Sequence, residues 1–490
     1  MRKGLLIVMA VVLVVAMAAP AMAGMDASGF LRVKGYMSNF YTGSSANPTL
    51  KQDAPTNSYV EQRLRTKFSF GEENVKAVWF LETDFSAWGD QAGSTNAAGN
   101  SPSGAGRNTG GALGGDRINL ETKNIYIWFK LPNTSLEFRV GLQNQTDAYA
   151  GLLYGGADFA GVFMNGKLEP VTYKLGWAKL YENDTAKTDD MNLYVGEVNF
   201  APTKDVKLGV NLYYLEDFTG KVSNAAELPG GTNTIQTNLT GGAFTALNTK
   251  KIYTAGVNAT FNAGPATLTG FGLYNFGKIE FTGGAPRPSD IDVNGYALDL
   301  RADLKLGPGK GFIEGLYISG GDNTADKYKS IITLSDVNAS PGGNSAYSRT
   351  DMYILLANGD AINTAQSFIG SSGVAQSPAG PGNTSPGNAG RGMWHIGTGY
   401  TMPLGKQLTT KVGLGYLSAT ELLKSETNVR KGKVMGTEVN ANVNYNIMKG
   451  LDFGVYGAYA WLGDFFKSKA PGAQDPDDVY DIHLRLNYAF

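Results

Sequence analysis

Val479-Tyr-Asp-Ile-His-Leu-Arg-Leu-Asn-Tyr-Ala-Phe490 alternates apolar and polar residues almost without a break. Tyr480, Ile482, Leu484, Leu486, Tyr488 and Phe490 fall on one face, and Asp481, His483, Arg485 and Asn487 on the other. Period-two alternation of this kind predicts a β-strand with one greasy and one wet side. The stretch has about the length of one tilted strand crossing a bilayer. An amphipathic edge strand of a soluble sandwich has the same local pattern, so the rest of the chain must decide between them.

Working back along the chain, runs of the same kind recur. Arg32 and Lys34 oppose Leu31, Val33 and Met37; Glu61, Arg63, Arg65 and Lys67 oppose Leu64, Thr66, Phe68 and Phe70. Asp299, Arg301, Asp303 and Lys305 alternate with Leu298, Leu300, Ala302, Leu304 and Leu306, and Glu438 with Asn440, Asn442, Asn444 and Asn446 alternates with Val439, Ala441, Val443, Tyr445 and Ile447. A Lys or Arg facing lipid at mid-membrane costs about 2–4 kcal/mol, so the charged parity must look inward in a membrane barrel. Sandwiches bury their apolar faces against each other and seldom need so many long two-faced strands.

The connections are short and long in turn. Turn chemistry marks Gly71–Asn74, Leu131–Ser135, Lys167–Pro170, Ala201–Asp205, Ala263–Pro265, Gly307–Gly311, Pro403–Lys406 and Met448–Gly450. The long connections, roughly 86–117, 218–249 and 321–393, are rich in Gly, Asn, Ser and Thr. Eight short turns with a strand at each end predict about 18 antiparallel strands, or 16, in one domain over residues 24–490. Within the longest connection Met352-Tyr-Ile-Leu-Leu-Ala357 reads either as a further strand or as a loop folded inward.

Arg2 and Lys3, the apolar run Leu5–Met17 and Pro20-Ala-Met-Ala23 predict a cleaved secretory signal over residues 1–23. The apolar run is shorter than the roughly 20 residues a spanning helix needs. The chain has no cysteine, which suits an exported protein without disulfides and argues against lipid anchoring. Hydrophobic residues make up 42%, with a mean hydropathy of -0.18, too polar for a helical membrane protein but expected of a barrel that wets every second residue. A formal net charge of -1 gives no case for nucleic acid or a polyanion as a partner of the whole chain.

These features resemble Gram-negative outer-membrane porins. The terminal aromatic pair Tyr488 and Phe490 resembles the signal by which such barrels are recognised by the barrel-assembly machinery. Leu136-Glu-Phe-Arg-Val-Gly-Leu-Gln143, leading into Asn144–Asp158, resembles the strand ending Val-Gly-Arg-Gln before the third loop of diffusion porins, the loop that folds inward as the constriction. Leu142 stands where that pattern has Arg, which implies one pore-lining charge fewer. The resemblance implies a water-filled channel for passive diffusion of small hydrophilic solutes and ions, set among outer-membrane lipid and lipopolysaccharide, and points to a homotrimer.

On this reading Arg32, Lys34, Arg63, Arg65, Lys67, Lys76, Arg139 and Arg485 form a basic pore wall, and Asp147 and Asp158 are acidic residues of the constriction loop. Opposed rows set up a transverse field that favours polar solutes. The bland reading makes them ordinary luminal charges neutralised by Glu61, Glu82, Asp84 and Glu137. Tyr36, Phe40, Tyr41, Trp79, Phe85, Tyr126, Trp128, Trp177, Tyr181, Tyr213, Tyr214, Tyr459 and Trp461 are expected at membrane interfaces, or as a sugar-binding track in the lumen.

Catalysis has little to stand on, with His395 and His483 the only histidines. Asp475, Asp477 and Asp478 read as a solvated acidic loop rather than a calcium site. No enzyme activity, cofactor or metal is therefore expected. Two other functions stay open: a substrate-specific channel or anionic-polysaccharide exporter, and a non-transporting receptor or adhesin working through its long loops.

Overall fold

The computed structural model describes residues 24–40, 50–88, 120–182, 185–219, 247–282, 290–321, 326–334, 336, 347, 349–356 and 386–490. The signal expected over 1–23, Tyr41, the Phe85 side chain, Ala357 and most of the 86–117 and 218–249 connections lie outside what is described.

Antiparallel strands follow one another as β1 (Met25–Ser38), β2 (Asn57–Glu72), β3 (Val75–Ala87), β4 (Glu121–Lys130), β5 (Glu137–Gln145), β6 (Ala157–Leu168), β7 (Val171–Tyr181), β8 (Met191–Thr203), β9 (Val206–Asp217), β10 (Leu247–Ala263), β11 (Ala266–Thr282), β12 (Ile291–Leu306), β13 (Gly309–Ile318), β15 (Met393–Leu404), β16 (Leu408–Ala419), β17 (Val434–Met448), β18 (Leu451–Leu462) and β19 (Val479–Ala489). A two-residue strand, β14 (Lys327–Tyr328), lies parallel to the start of β12. Each long strand pairs with its neighbours in sequence, and β1 pairs with both β2 and β19, so eighteen strands close into a barrel. Closure leaves no open edge, as a sheet in lipid requires. At the seam Gly29 and Phe490 exchange backbone N–H···O bonds of 2.9 and 3.0 Å. A Cβ on Gly29 would meet the Arg65 carbonyl oxygen at 2.1 Å, so the close approach there admits only glycine.

The eight predicted turns are all present and share one rim. Gly264 and Gly307 sit in them at φ of +61° and +56° with open space around them, so backbone conformation rather than crowding calls for glycine. Long connections occupy the other rim. Outward side chains form an apolar band: Val210, Leu212, Leu298 and Leu300 are each more than half exposed. Near the loop rim the band ends in aromatic rings, with Tyr194 stacked on Tyr214, Tyr214 on Tyr253 and Tyr253 on Phe276 at 4.6–5.7 Å between centroids. Tyr296–Tyr317, Trp394–Tyr416 and Tyr459–Trp461 continue the row. An apolar belt closed by an aromatic girdle is the exterior of a membrane-spanning barrel.

The interior departs from the simple polar lumen. Toward the loop rim, inward positions are apolar, among them Leu193, Val195, Tyr213, Leu215, Ile252, Leu273, Ile291, Val293, Ile318 and Met393, all nearly inaccessible. They cover connections that fold into the barrel, burying apolar surface that water would otherwise meet. Tyr36, Phe40 and Tyr213, expected at an interface, belong to this interior cluster. The physical reason is parity: each occupies the inward face of its strand or loop. Toward the turn rim the inward face stays polar.

Candidate channel lining

Among the described residues, two connections fold into the lumen. The first joins β5 to β6. Its organiser is Asp147, whose carboxylate accepts backbone N–H bonds from Tyr149 (2.7 Å), Gly151 (2.9 Å), Leu153 (2.6 Å) and Tyr154 (2.8 Å). Burial pushes its pKa up, against the pull of those four donors, to about 6. Ala150 and Gly151 take left-handed φ values of 59° and 83°, tightening the turn around the carboxylate. The loop then buries Tyr149, Leu152, Leu153 and Tyr154, and Tyr149 and Tyr154 meet the ring of Tyr213 on β9 edge-on.

The second is the long β13–β15 connection. Its first described part packs on β11 and β12: the Ile332 N–H donates to Asn275 Oδ1 at 3.1 Å, and the Leu334 N–H donates to the Leu153 carbonyl at 3.0 Å, joining the two infolded loops. Its second part, Tyr347 to Leu356, crosses the wall. Tyr347 reaches Asp299 and Glu314; Arg349 pairs with Asp299; Asp351 pairs with Lys411. Glu438 then accepts the N–H groups of Tyr353, Ile354 and Leu355, the last two at 2.9 Å. Asn442 holds the Tyr353 hydroxyl. Met352–Leu356 is thus the inward-folded alternative of the two that the sequence left open.

Hydrogen bonds and ion pairs from these two segments run to β5, β7, β9, β11–β13, β16 and β17. The strip β19–β1–β2 presents the basic side chains. There Arg32 stands directly opposite Arg63, and Lys34 directly opposite Arg485. Arg32 Nε donates to Asn487 Oδ1 at 3.0 Å. Arg63 and Arg65 both reach Glu82, at 2.9 and 2.7 Å, and Lys123 joins Glu82 to Asp158 at 3.3 and 2.9 Å.

The expected site residues therefore divide. Arg32, Lys34, Arg63, Arg65 and Arg485 come together on one inward-facing strip. Lys67 and Lys76 share the inward parity but lie toward the turn rim, and Arg139 stands on β5 with its guanidinium 6.0 Å from the Tyr126 ring centre. Asp147 lies in the infolded loop, yet its carboxylate is spent on the loop's own backbone, so it braces the constriction rather than facing the basic strip. Asp158 belongs to β6, on the parity of the exposed Ala160 and Val162, and pairs with Lys123 near the rim. Leu142 opposes Ile125 on the outward parity shared with Val140, so its position does not line the pore here.

Sequence reasoning missed Lys123, and it missed Glu438 and the Asp299–Glu314–Tyr347 cluster as loop anchors. Glu438 carried a faint signal, as the single acid heading an inward row of asparagines. The cluster carried none, because its partners lie 33 to 48 positions apart in sequence.

No protein-family model and no curated protein matches this sequence. Among solved structures, the chain is similar to Pseudomonas aeruginosa OpdL, with 11% identity and a TM-score of 0.49 over 96% of this chain and 99% of that one. It is also similar to OpdQ of the same organism (12%, 0.49, 95% and 98%) and to OpdK determined with vanillate (13%, 0.48, 95% and 98%). Eighteen closed antiparallel strands, tight turns on one rim and long connections on the other are in themselves the architecture of an outer-membrane porin.

Proposed function

We propose that this chain is an outer-membrane channel through which small hydrophilic solutes and ions diffuse passively, with anions preferred. The observation that carries the reading is the pairing of Arg32 with Arg63 and of Lys34 with Arg485 across neighbouring strands. Like charges placed directly opposite destabilise a sheet by about 0.2–1 kcal/mol per pair, so such a row is costly to a barrel that merely needs a wall. Arg32, Arg65 and Arg485, the members of this strip that stay partly accessible, line the narrowed aqueous path and concentrate anions there by several-fold. The infolded loops narrow a barrel whose bare backbone is about 35 Å across. Lipopolysaccharide around the girdle, delivery by the barrel-assembly machinery and a trimeric state belong to this proposal.

Purified protein in a planar bilayer tests it. Discrete conductance steps are expected, with a reversal potential in a salt gradient displaced toward the anion. A silent bilayer would favour the receptor or adhesin reading. The filled lumen on the β6–β17 side favours one second reading, a substrate-specific channel, which would show itself as saturable block of the current by a single solute class.

A further inference from the structure

Lys34 is 3% exposed, and its Nζ makes no hydrogen bond to the protein. Glu61 stands directly opposite Lys34 on β2, but its carboxylate accepts from the Tyr36 hydroxyl at 3.1 Å and makes no hydrogen bond to Lys34 Nζ. Burying an ammonium without a hydrogen-bonded partner is far costlier than burying a bonded one. Two more buried nitrogens on the same inward face have no hydrogen-bond partner: Arg485 Nε, on the residue directly opposite Lys34, and Nε2 of His483, two positions along β19. The remaining contacts of Arg485 are loose, 3.5 Å to Asn444 Oδ1 and 3.9 Å to Asp452 Oδ2, and its guanidinium lies 4.7 Å from the Tyr456 ring centre. His483 is held rigidly. Its ring lies flat on Tyr456 at 4.5 Å, and Tyr36 and the infolded Tyr353 flank it at 5.4 and 6.5 Å.

We propose that Lys34, Arg485 and His483 form a binding site for a small monovalent anion, a halide or a carboxylate group, and that filling it draws a proton onto His483. The Nδ1 of His483 lies 2.8 Å from Asp481 Oδ2, which fixes the ring hydrogen on Nδ1 in the neutral form. The neutral ring therefore shows a lone pair at Nε2 and repels an anion. Imidazolium shows an N–H there and completes a set of three donors. The charged and titratable groups around the ring are Asp481 and Arg485 on its own strand, Lys34 and Tyr36 on β1, Glu61 on β2 directly opposite Lys34, Asp452 and Tyr456 on β18, and Tyr353 on the infolded segment. Lys34 and Arg485 oppose a third positive charge, and an anion between them removes that opposition. Uptake is electroneutral, one anion with one proton, so by linkage anion affinity rises as pH falls through the imidazole range. The site rests on the channel reading only for its access from the lumen.

Crystals of the full-length barrel soaked in sodium bromide at about pH 5.5 and about pH 8, either side of the imidazole range, test the site directly. An anomalous peak between Lys34 Nζ and Arg485 Nε is expected, stronger at the lower pH. Lys34→Met should remove the peak. His483→Gln should keep a peak of equal height at both pH values, and it serves as the test should Lys34→Met fail to give a heat-modifiable barrel. Sodium acetate should displace the bromide; bromide that resists acetate would overturn the carboxylate half of the proposal. No peak, or a wild-type peak indifferent to pH, overturns the site or its proton coupling. The soak does not depend on current, so a peak in a barrel that fails to conduct would sink the channel reading alone.

Discussion

Glu438 on β17 accepts the backbone N–H of Ile354 at 2.9 Å and thereby pins the middle of the long infolded segment to the barrel wall. The same carboxylate takes the N–H groups on either side of Ile354, so one side chain satisfies three consecutive donors that burial would otherwise strand. Among the described residues, Glu438 is the one side chain holding three successive N–H groups of this segment.

Glu438→Gln should therefore release it. An amide offers one oxygen and turns an N–H₂ toward a donor, and each stranded donor costs about 1–3 kcal/mol. Single-channel conductance is expected to rise, with a lower midpoint of thermal unfolding. Unchanged conductance in a correctly folded variant would show that the segment does not narrow the path.

Asp147→Ala removes two acceptor oxygens, and with them four hydrogen bonds, from the first infolded loop at once. The loop cannot keep its turn around an absent carboxylate, and Tyr149 and Tyr154 should leave the Tyr213 ring. Faster hydrogen exchange at residues 147–154, together with a larger conductance step, is the expected result. Exchange at the wild-type rate would mean that packing alone holds the loop.

Replacing Arg32 with Gln relieves its direct opposition to Arg63 while leaving the Arg63–Glu82 pair in place. Folding stability should hold or increase by about 0.2–1 kcal/mol. The reversal potential should move toward cations, because a charge within a screening length of about 8 Å of the ion path acts on it. A reversal potential unmoved by this change would place the selective region away from the β19–β1–β2 strip.

At the loop rim Glu426 takes a bidentate pair from Arg391 at 2.6 Å and a further bond from the fully buried Arg430 at 2.9 Å. Burial pushes the Glu426 carboxyl up, but the two guanidiniums more than offset it and hold the group below the usual carboxylate range. A depressed carboxyl stabilises the folded state above the ordinary carboxylate range and loses that contribution as pH falls through its own lower value. The 420–433 connection should thus resist protease at neutral pH and become cleavable only in strong acid. Glu426→Gln should be cleavable at neutral pH; equal resistance in both proteins would deny the triad its role.

The sequence by itself determined the barrel. Alternation in Val479–Phe490 and its counterparts set which residues face lipid, because a charge in hydrocarbon costs several kcal/mol whatever the neighbouring strands do. Turn residues set where strands reverse, because the φ preferences of Gly and Asn act locally, as at Gly264 and Gly307. Inward parity likewise put Arg32, Lys34, Arg63, Arg65 and Arg485 on the luminal side before any fold was known. What the tertiary structure alone decided is which of these side chains meet and what fills the space between them. Register across the β19–β1 seam sets Lys34 against Arg485, residues from opposite ends of the chain. Contacts at such separation, like the grip of Glu438 on Ile354, 84 positions away, leave no local pattern to read. Asp147 was legible as a charge in a loop. Its use as an internal brace follows only from four N–H groups that turn toward it once the loop is folded into the barrel.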